Sequence, residues 1–167
     1  VVGVNVSLAA TYFEGSAEAS ISGNAKIGTE QEPASNLQSI NVSTTGETRA
    51  TVAVAGLSGG AVAVNTGVGL AVNRTKVRSF IGQGVAINAP AAAASVSHDF
   101  DAEAEGHTVS LAGGAVSVGA GVIVVLNMFD AQSYVGATPD GDADTGSTGS
   151  GNISDLGSLS VSAKGDT

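Results

Sequence analysis

Cysteine and tryptophan are absent from this 167-residue chain, and only four Phe and two Tyr supply its aromatics. Without cysteine there are no disulfides, no thiolate-zinc sites and no cysteine nucleophile. Two histidines argue against a histidine-rich metal site or a His-based triad. Charged residues make up 13% of the chain, about half the usual share for a globular domain. Six Lys+Arg against fifteen Asp+Glu leave a net charge of −9. A nucleic-acid binder needs a basic footprint to replace phosphate counterions, so that class is excluded. Docking on an anionic membrane surface is disfavoured for the same reason. At 43% hydrophobic the composition is not that of a disordered chain. The length suits one domain or a piece of a longer array.

What is present is Gly (24 residues), with much Ala, Ser and Val, and these fall into repeats. Residues 59–82, GGAVAVNTGVGLAVNRTKVRSFIG, match 113–136, GGAVSVGAGVIVVLNMFDAQSYVG, at an offset of 54. Shared pairs include Gly59/Gly113, Val62/Val116, Val64/Val118, Gly67/Gly121, Val68/Val122, Asn73/Asn127 and Ser79/Ser133. The opening segment matches the same block more weakly at an offset of about 60, through Val2/Val62, Val4/Val64 and Asn5/Asn65. A second block recurs as SINVSTTGET (39–48), ASVSHDFDAE (94–103) and SLSVSAKGDT (158–167). The chain is therefore expected to be one tandem array over 1–167: a weak copy 1–38, copies 39–93 and 94–157, and the start of another at 158–167. VVGVNVSL has no basic n-region or cleavage site, and both ends are expected to be cut from a longer protein.

Two stretches, Ala50 to Asn73 and Thr108 to Phe129, run uncharged for more than 20 residues, enough to cross a membrane as a helix. Their pattern is wrong for that. Val52 and Val54, then Val62 and Val64, then Val68, Leu70 and Val72 alternate with period 2, which marks strands. β-Branched Val and Thr suit a pleated surface. A membrane β-barrel would need aromatic girdles that six aromatics cannot supply. No membrane span is expected within the segment.

The predicted fold is all-β: short strands such as 39–44, 48–55, 61–64 and 67–72, with Gly, Asn and Ser at the corners. A parallel β-solenoid, or β-helix, with three turns of about 18–20 residues per repeat explains the period, because stacked coils supply each other's core. An antiparallel β-sandwich of long hairpins, turning at 58–60 and 112–114, is the alternative. In the solenoid, Val62, Val64, Val68, Leu70 and Val72, with Val116, Val118, Val122, Val124 and Leu126, are expected to form the apolar interior.

The run at 59–82, preceded by SINVSTTGETRATVAVAG and closed by Phe80-Ile81-Gly82, resembles the repeats of leukotoxin-type filamentous adhesins and haemagglutinin-like passengers of type V secretion. The resemblance covers most of the chain, apart from 24–38 and 138–157. It implies an exported, extracellular or cell-surface protein whose repeats build a stalk that projects a binding region. It also implies partners: neighbouring repeats of the same chain, a host glycan or surface protein, and further copies associating into fibres. No catalytic residue is carried over by it.

Three groups of side chains are candidates for chemistry. Asp140, Asp142 and Asp144 alternate in PDGDADTGSTGSGN, and a curled loop can aim three such carboxylates at calcium. Thr145 stands where an EF-hand-like loop wants Gly, and the plainer reading is a solvated acidic loop. Asp99, Asp101, Glu103 and Glu105 face one way along a strand, with Phe100, Ala102 and Ala104 opposite. A solvated face that blunts a sheet edge is the plain reading, and a cation-bridged row flanked by His98 and His107 is the sharper one. A polysaccharide-active enzyme would want basic residues there to stabilise developing negative charge. The segment has none, so no catalytic activity is expected. Arg74, Lys76 and Arg78 alternate on one strand but become Met128, Asp130 and Gln132 in the next copy, as a solvated face would. An anionic glycan is the alternative ligand for them. Sequons stand at Asn5, Asn41, Asn73 and Asn152.

Overall fold

A computed structural model describes residues 1–136 and 153–166. The described chain is all-β: β1 (Val2–Ile21), β2 (Lys26–Ile27), β3 (Ser39–Gly59), β4 (Val62–Ile81), β5 (Ala86–Gly113), β6 (Val116–Val135) and β7 (Ile153–Asp166). Sheet A is ordered β1-β4-β6. Sheet B has β5 at its centre, paired with β3, with β7 and with the short β2. Every pairing among the described residues is parallel, so the antiparallel hairpin arrangement does not describe this chain. Gly60 and Ala61 join β3 to β4 as an arch from one sheet to the other, and not as a hairpin. Gly60 takes φ of 154° there, a value that a side chain would strain.

The registers equal the repeat offsets. Val2 pairs with Val62, Val62 with Val116, and Val42 with Val96. An offset of 54 thus joins adjacent strands. Each repeat contributes one strand of about 20 residues to each sheet, in place of the three short turns expected from sequence. The arrangement is compatible with a β-helix. The offset of 60 at Lys26–Ala86 falls to 54 at Ser39–Ala93, so the six extra residues lie within 28–38. Around Pro90 in β5 the pairing with β7 shifts register, between Ile87 and Asn88 and again between Ala89 and Ala93. Proline has no N–H to give to a ladder, and a bulge accommodates it.

The core lies between the sheets. Near the turn at 82–85, Ile40, Val42, Ile81, Val85, Ile87 and Val96 form the main apolar cluster. A smaller one joins Val52, Val54 and Ala71. In β4 the buried face is carried by Ala63, Asn65, Gly67, Gly69, Ala71, Asn73, Thr75, Val77, Ser79 and Ile81. The expected interior therefore points the other way. Val62, Val68 and Leu70 are 38–39% exposed, although their strand has a neighbour on each side. Val116, Val118, Val122, Val124 and Leu126 lie on the same outer face and are 45–58% exposed. Val64 is half-buried, and Val72, between Tyr12 and Leu126 in the ladder, is buried on that face.

The physical reason is space. Cβ atoms added at Gly67 and Gly69 would stand 2.9 and 2.8 Å from the methyls of Val54. Strand β3 fills the gap between the sheets with Val52 and Val54, and β4 leaves room for them. One coil later the sizes reverse. Val52 is replaced by Gly106 and Gly69 by Ile123, and a Cβ on Gly106 would collide with Ile123. Gly56 opposite Asn65 likewise becomes Ser110 opposite Gly119. Large faces small in both coils, as close packing demands.

Candidate functional site

Four of the nine largest fully buried side chains are polar: Asn65, Asn73, Thr75 and Ser79. Each is satisfied, as burial requires. Asn73 Nδ2 donates to Thr48 Oγ1 at 3.2 Å, Thr48 and Thr75 hydroxyls share a bond of 3.0 Å, and Thr75 Oγ1 donates to Asn73 Oδ1 at 2.9 Å. These bonds close a ring across the two sheets. Asn73 Nδ2 also donates to the carbonyl of Glu103 in the next coil at 3.0 Å. In that coil Thr48 and Thr75 are replaced by Ala102 and Phe129, so Asn127 keeps a bond to the Ala102 carbonyl but its Oδ1 lacks a partner among the described residues. A second chain runs from Asn5 Nδ2 to Asn65 Oδ1 (3.0 Å) and from Asn65 Nδ2 to Ser110 Oγ (2.8 Å). The internal polar groups thus tie coil to coil. Asn73 is fully buried and unavailable as a glycosylation acceptor.

His98 belongs to this interior. It is 3% exposed, and its Nδ1 lies 2.9 Å from Ser133 Oγ. One coil back the same place is held by Thr44, which accepts from Ser79 Oγ at 2.8 Å. Burial pushes the His98 pKa below its ordinary value, against the opposing pull of the Asp99 carboxylate.

His98 therefore points away from the acidic row it was expected to flank. Asp99 and Asp101 are exposed, and Phe100 and Ala102 are buried, as the alternation requires. The carboxylates meet charges on neighbouring coils: Glu103 lies 2.6 Å from Arg49, and Asp99 lies 3.2 Å from Lys164. Glu105 meets His107 at 2.9 Å on the same strand. Asp101 sits in the ladder between Glu47 and Asp166. Exposed pairs of this kind contribute about 0–1 kcal/mol each. An open cleft of about 550 Å³ is lined by Asp101, Glu103, Ala104, Asn127 and Asp166. No group of three or more metal-ligating side chains forms among the described residues. Asp140, Asp142 and Asp144 lie outside the described residues.

Arg74 and Lys76, with Glu14 and Ser16, line a second cleft of about 340 Å³ on sheet A. Arg74 lies 3.9 Å from Glu14, so the basic row is interleaved with acid. Two ring contacts mark the stack: Phe80 on Tyr134, with centroids 4.9 Å apart and planes at 4°, and Phe100 beside Phe129 at 6.0 Å. The first pair is related by the repeat itself.

A further chemically distinct feature is the outer face of sheet A. Its rows run Val2–Val62–Val116, Val4–Val64–Val118, Val6–Thr66–Ala120, Leu8–Val68–Val122, Ala10–Leu70–Val124 and Tyr12–Val72–Leu126. None of these positions is Asp, Glu, Lys, Arg or His. Sequence reasoning missed this surface by assigning the valines to the core. The signal that would have found it is the paired reversal of Val52 and Gly69 into Gly106 and Ile123 at the same offset. No helix among the described residues is long and apolar enough to cross a membrane. No family model, curated protein or solved structure matches the chain.

Proposed function

We propose that the chain is a length of parallel β-solenoid forming the body of an exported bacterial surface protein of filamentous-adhesin type. Its repeats act mechanically, stacking into a rigid shaft that carries a binding region and presents the variable segments 24–38 and 138–157. The observation that carries this reading is the identity of repeat offset and ladder register at Val2–Val62–Val116 and Val42–Val96. A repeat that stacks on its neighbour in register can be added indefinitely without changing the cross-section. The reading is non-catalytic: Asp99 is ion-paired on an open face, and Asp101 stands among like charges.

The shaft is broad for its rise. A strand of 20 residues spans about 66 Å, whereas one coil adds about 4.8 Å of length. A protein that spends 54 residues on so small a rise gains lateral surface, which suits decoration and contact along its sides. The test is a series of chains lengthened by tandem copies of 39–92 and measured by small-angle scattering and electron microscopy. The expected result is a particle of constant width that lengthens by about 4.8 Å per copy. Separate beads would contradict the shaft and favour discrete glycan- or protein-binding modules. Antibody raised against the segment should label intact cells that make the protein, and labelling only after lysis would contradict export.

A further inference from the structure

We propose that the outer face of sheet A, from the Val2 row to the Tyr12 row, is a self-association surface that packs on the same face of a second copy. The inference goes beyond the shaft reading and does not depend on it, because the face is complete within this one segment.

Exposure on the middle strand is the first observation. Val62, Val68 and Leu70 stand open although β1 and β6 flank them. Three strands about 4.8 Å apart and six rows about 6.6 Å apart make a patch of roughly 14 by 40 Å, or about 560 Å². That is at the top of the range for a free monomer's largest apolar patch, roughly 300–600 Å². Two such faces together bury about 1,100 Å² before side-chain relief is counted, near the lower bound of specific interfaces at about 1,200 Å².

The charge pattern selects the occupant and its orientation. The six rows hold no charged side chain, and the next three rows bring Glu14, Glu18 and Asp130 beside Arg74, Lys76 and Arg78. Two copies packed with strands antiparallel, about a two-fold axis near Val68, bring the uncharged rows together and leave the charged rows of both copies in water. A parallel arrangement would bring the mixed-charge rows of the two copies face to face and strip water from them. A net charge of −9 turns the chain away from anionic lipid. Rows of Val and Leu in constant register interdigitate with a surface of the same spacing, as facing sheets do.

The test is sedimentation velocity on the 167-residue chain from about 1 to about 200 µM, the range where a modest interface declares itself. The expected result is a monomer–dimer equilibrium that closes at two. The double variant Leu70→Lys with Val122→Lys should remain monomeric throughout, with unchanged circular dichroism. Ser43→Lys and Thr51→Lys, on the outer face of sheet B, should dimerise as the parent does. If the lysine pair does not fold, Leu70→Thr with Val122→Thr serves, and it should weaken the dimer at least tenfold. A parent that stays monomeric at all concentrations overturns the proposal, as does a dimer that survives both pairs of substitutions. Assembly that continues past two with concentration overturns it in favour of pairing through the open sheet edges. A monomer that binds neutral phosphatidylcholine vesicles overturns it in favour of lipid.

Discussion

The two faces of β4 invert the usual distribution. Its inner face carries Ala, Asn, Gly, Thr and Ser, with Val77 and Ile81 toward one end, while its outer face carries Val62, Val68 and Leu70 in the open. Hydrophobicity alone would turn the strand over. Turning it is blocked because a one-residue slip would push Val68 and Leu70 into the space that Val52 and Val54 already fill. It would also expose the ring of Asn73, Thr48 and Thr75, whose bonds depend on a dry interior. Steric fit and polar satisfaction outweigh the transfer of a few methyl groups. Sheet B shows the ordinary case, with Ser43, Thr45, Glu47 and Arg49 outside and Ile40, Val42 and Val52 inside.

Substitutions on the two faces should therefore differ in kind. The largest effect is expected at Ile81, which is 1% exposed in the main cluster. Ile81→Ala should cost about 2–5 kcal/mol in denaturant unfolding, by lost burial and the cavity left behind. Asn73→Ala breaks the ring and the tie to Glu103, leaves the buried Thr48–Thr75 hydroxyl pair short of a partner, and should cost about 2–3 kcal/mol. Gly69→Ile should overpack the space beside Val54 by about 1–3 kcal/mol. Adding Val52→Gly reproduces the size pairing of Gly106 and Ile123. The double variant should then be more stable than the sum of its parts by about 0.5–3 kcal/mol, and strict additivity would show that the two positions do not face each other.

A smaller effect is expected from His98. Its pKa is lowered in the fold by burial, so the folded state favours the neutral ring and the unfolded chain binds the proton more readily. The stabilisation is present in full above the unfolded value of about 6.5. It is lost as pH falls below that value, toward the lower folded pKa. Unfolding midpoints of the parent should drop between about pH 7 and pH 5. His98→Thr, which restores the residue of the preceding coil, should flatten that drop. An unchanged slope would place the titration elsewhere. The smallest effect is expected at Val68→Thr on the outer face, within about 0.5 kcal/mol of the parent.

Much of the fold was legible in the sequence, and one decisive part was not. The period-2 alternation and the offsets of 54 and 60 already contain the strands and their register. The coil was misjudged because Gly46 and Gly56 look like corners. They are mid-strand positions beside a large neighbour: Gly46 lies against Phe100, and Gly56 faces Asn65. Facing was misjudged because period 2 does not say which parity is buried. That is decided by the partner sheet, and at Val68 the partner had filled the space first. The acidic row at Asp99 to Glu105 was read correctly as one solvated face, but His98 was not, since it falls on the opposite parity.

The central claim is that β4 hides its small and polar face and shows its valines. A chain without cysteine permits a direct test by thiol labelling of single-cysteine variants in dilute solution. Val68→Cys and Leu70→Cys should react at nearly the rate of a free thiol. Ala63→Cys and Ala71→Cys, at positions that are 0% exposed, should react at least about 100-fold more slowly, through opening of the fold alone. Protection at Val68 and Leu70 with rapid labelling at Ala63 and Ala71 would contradict the account.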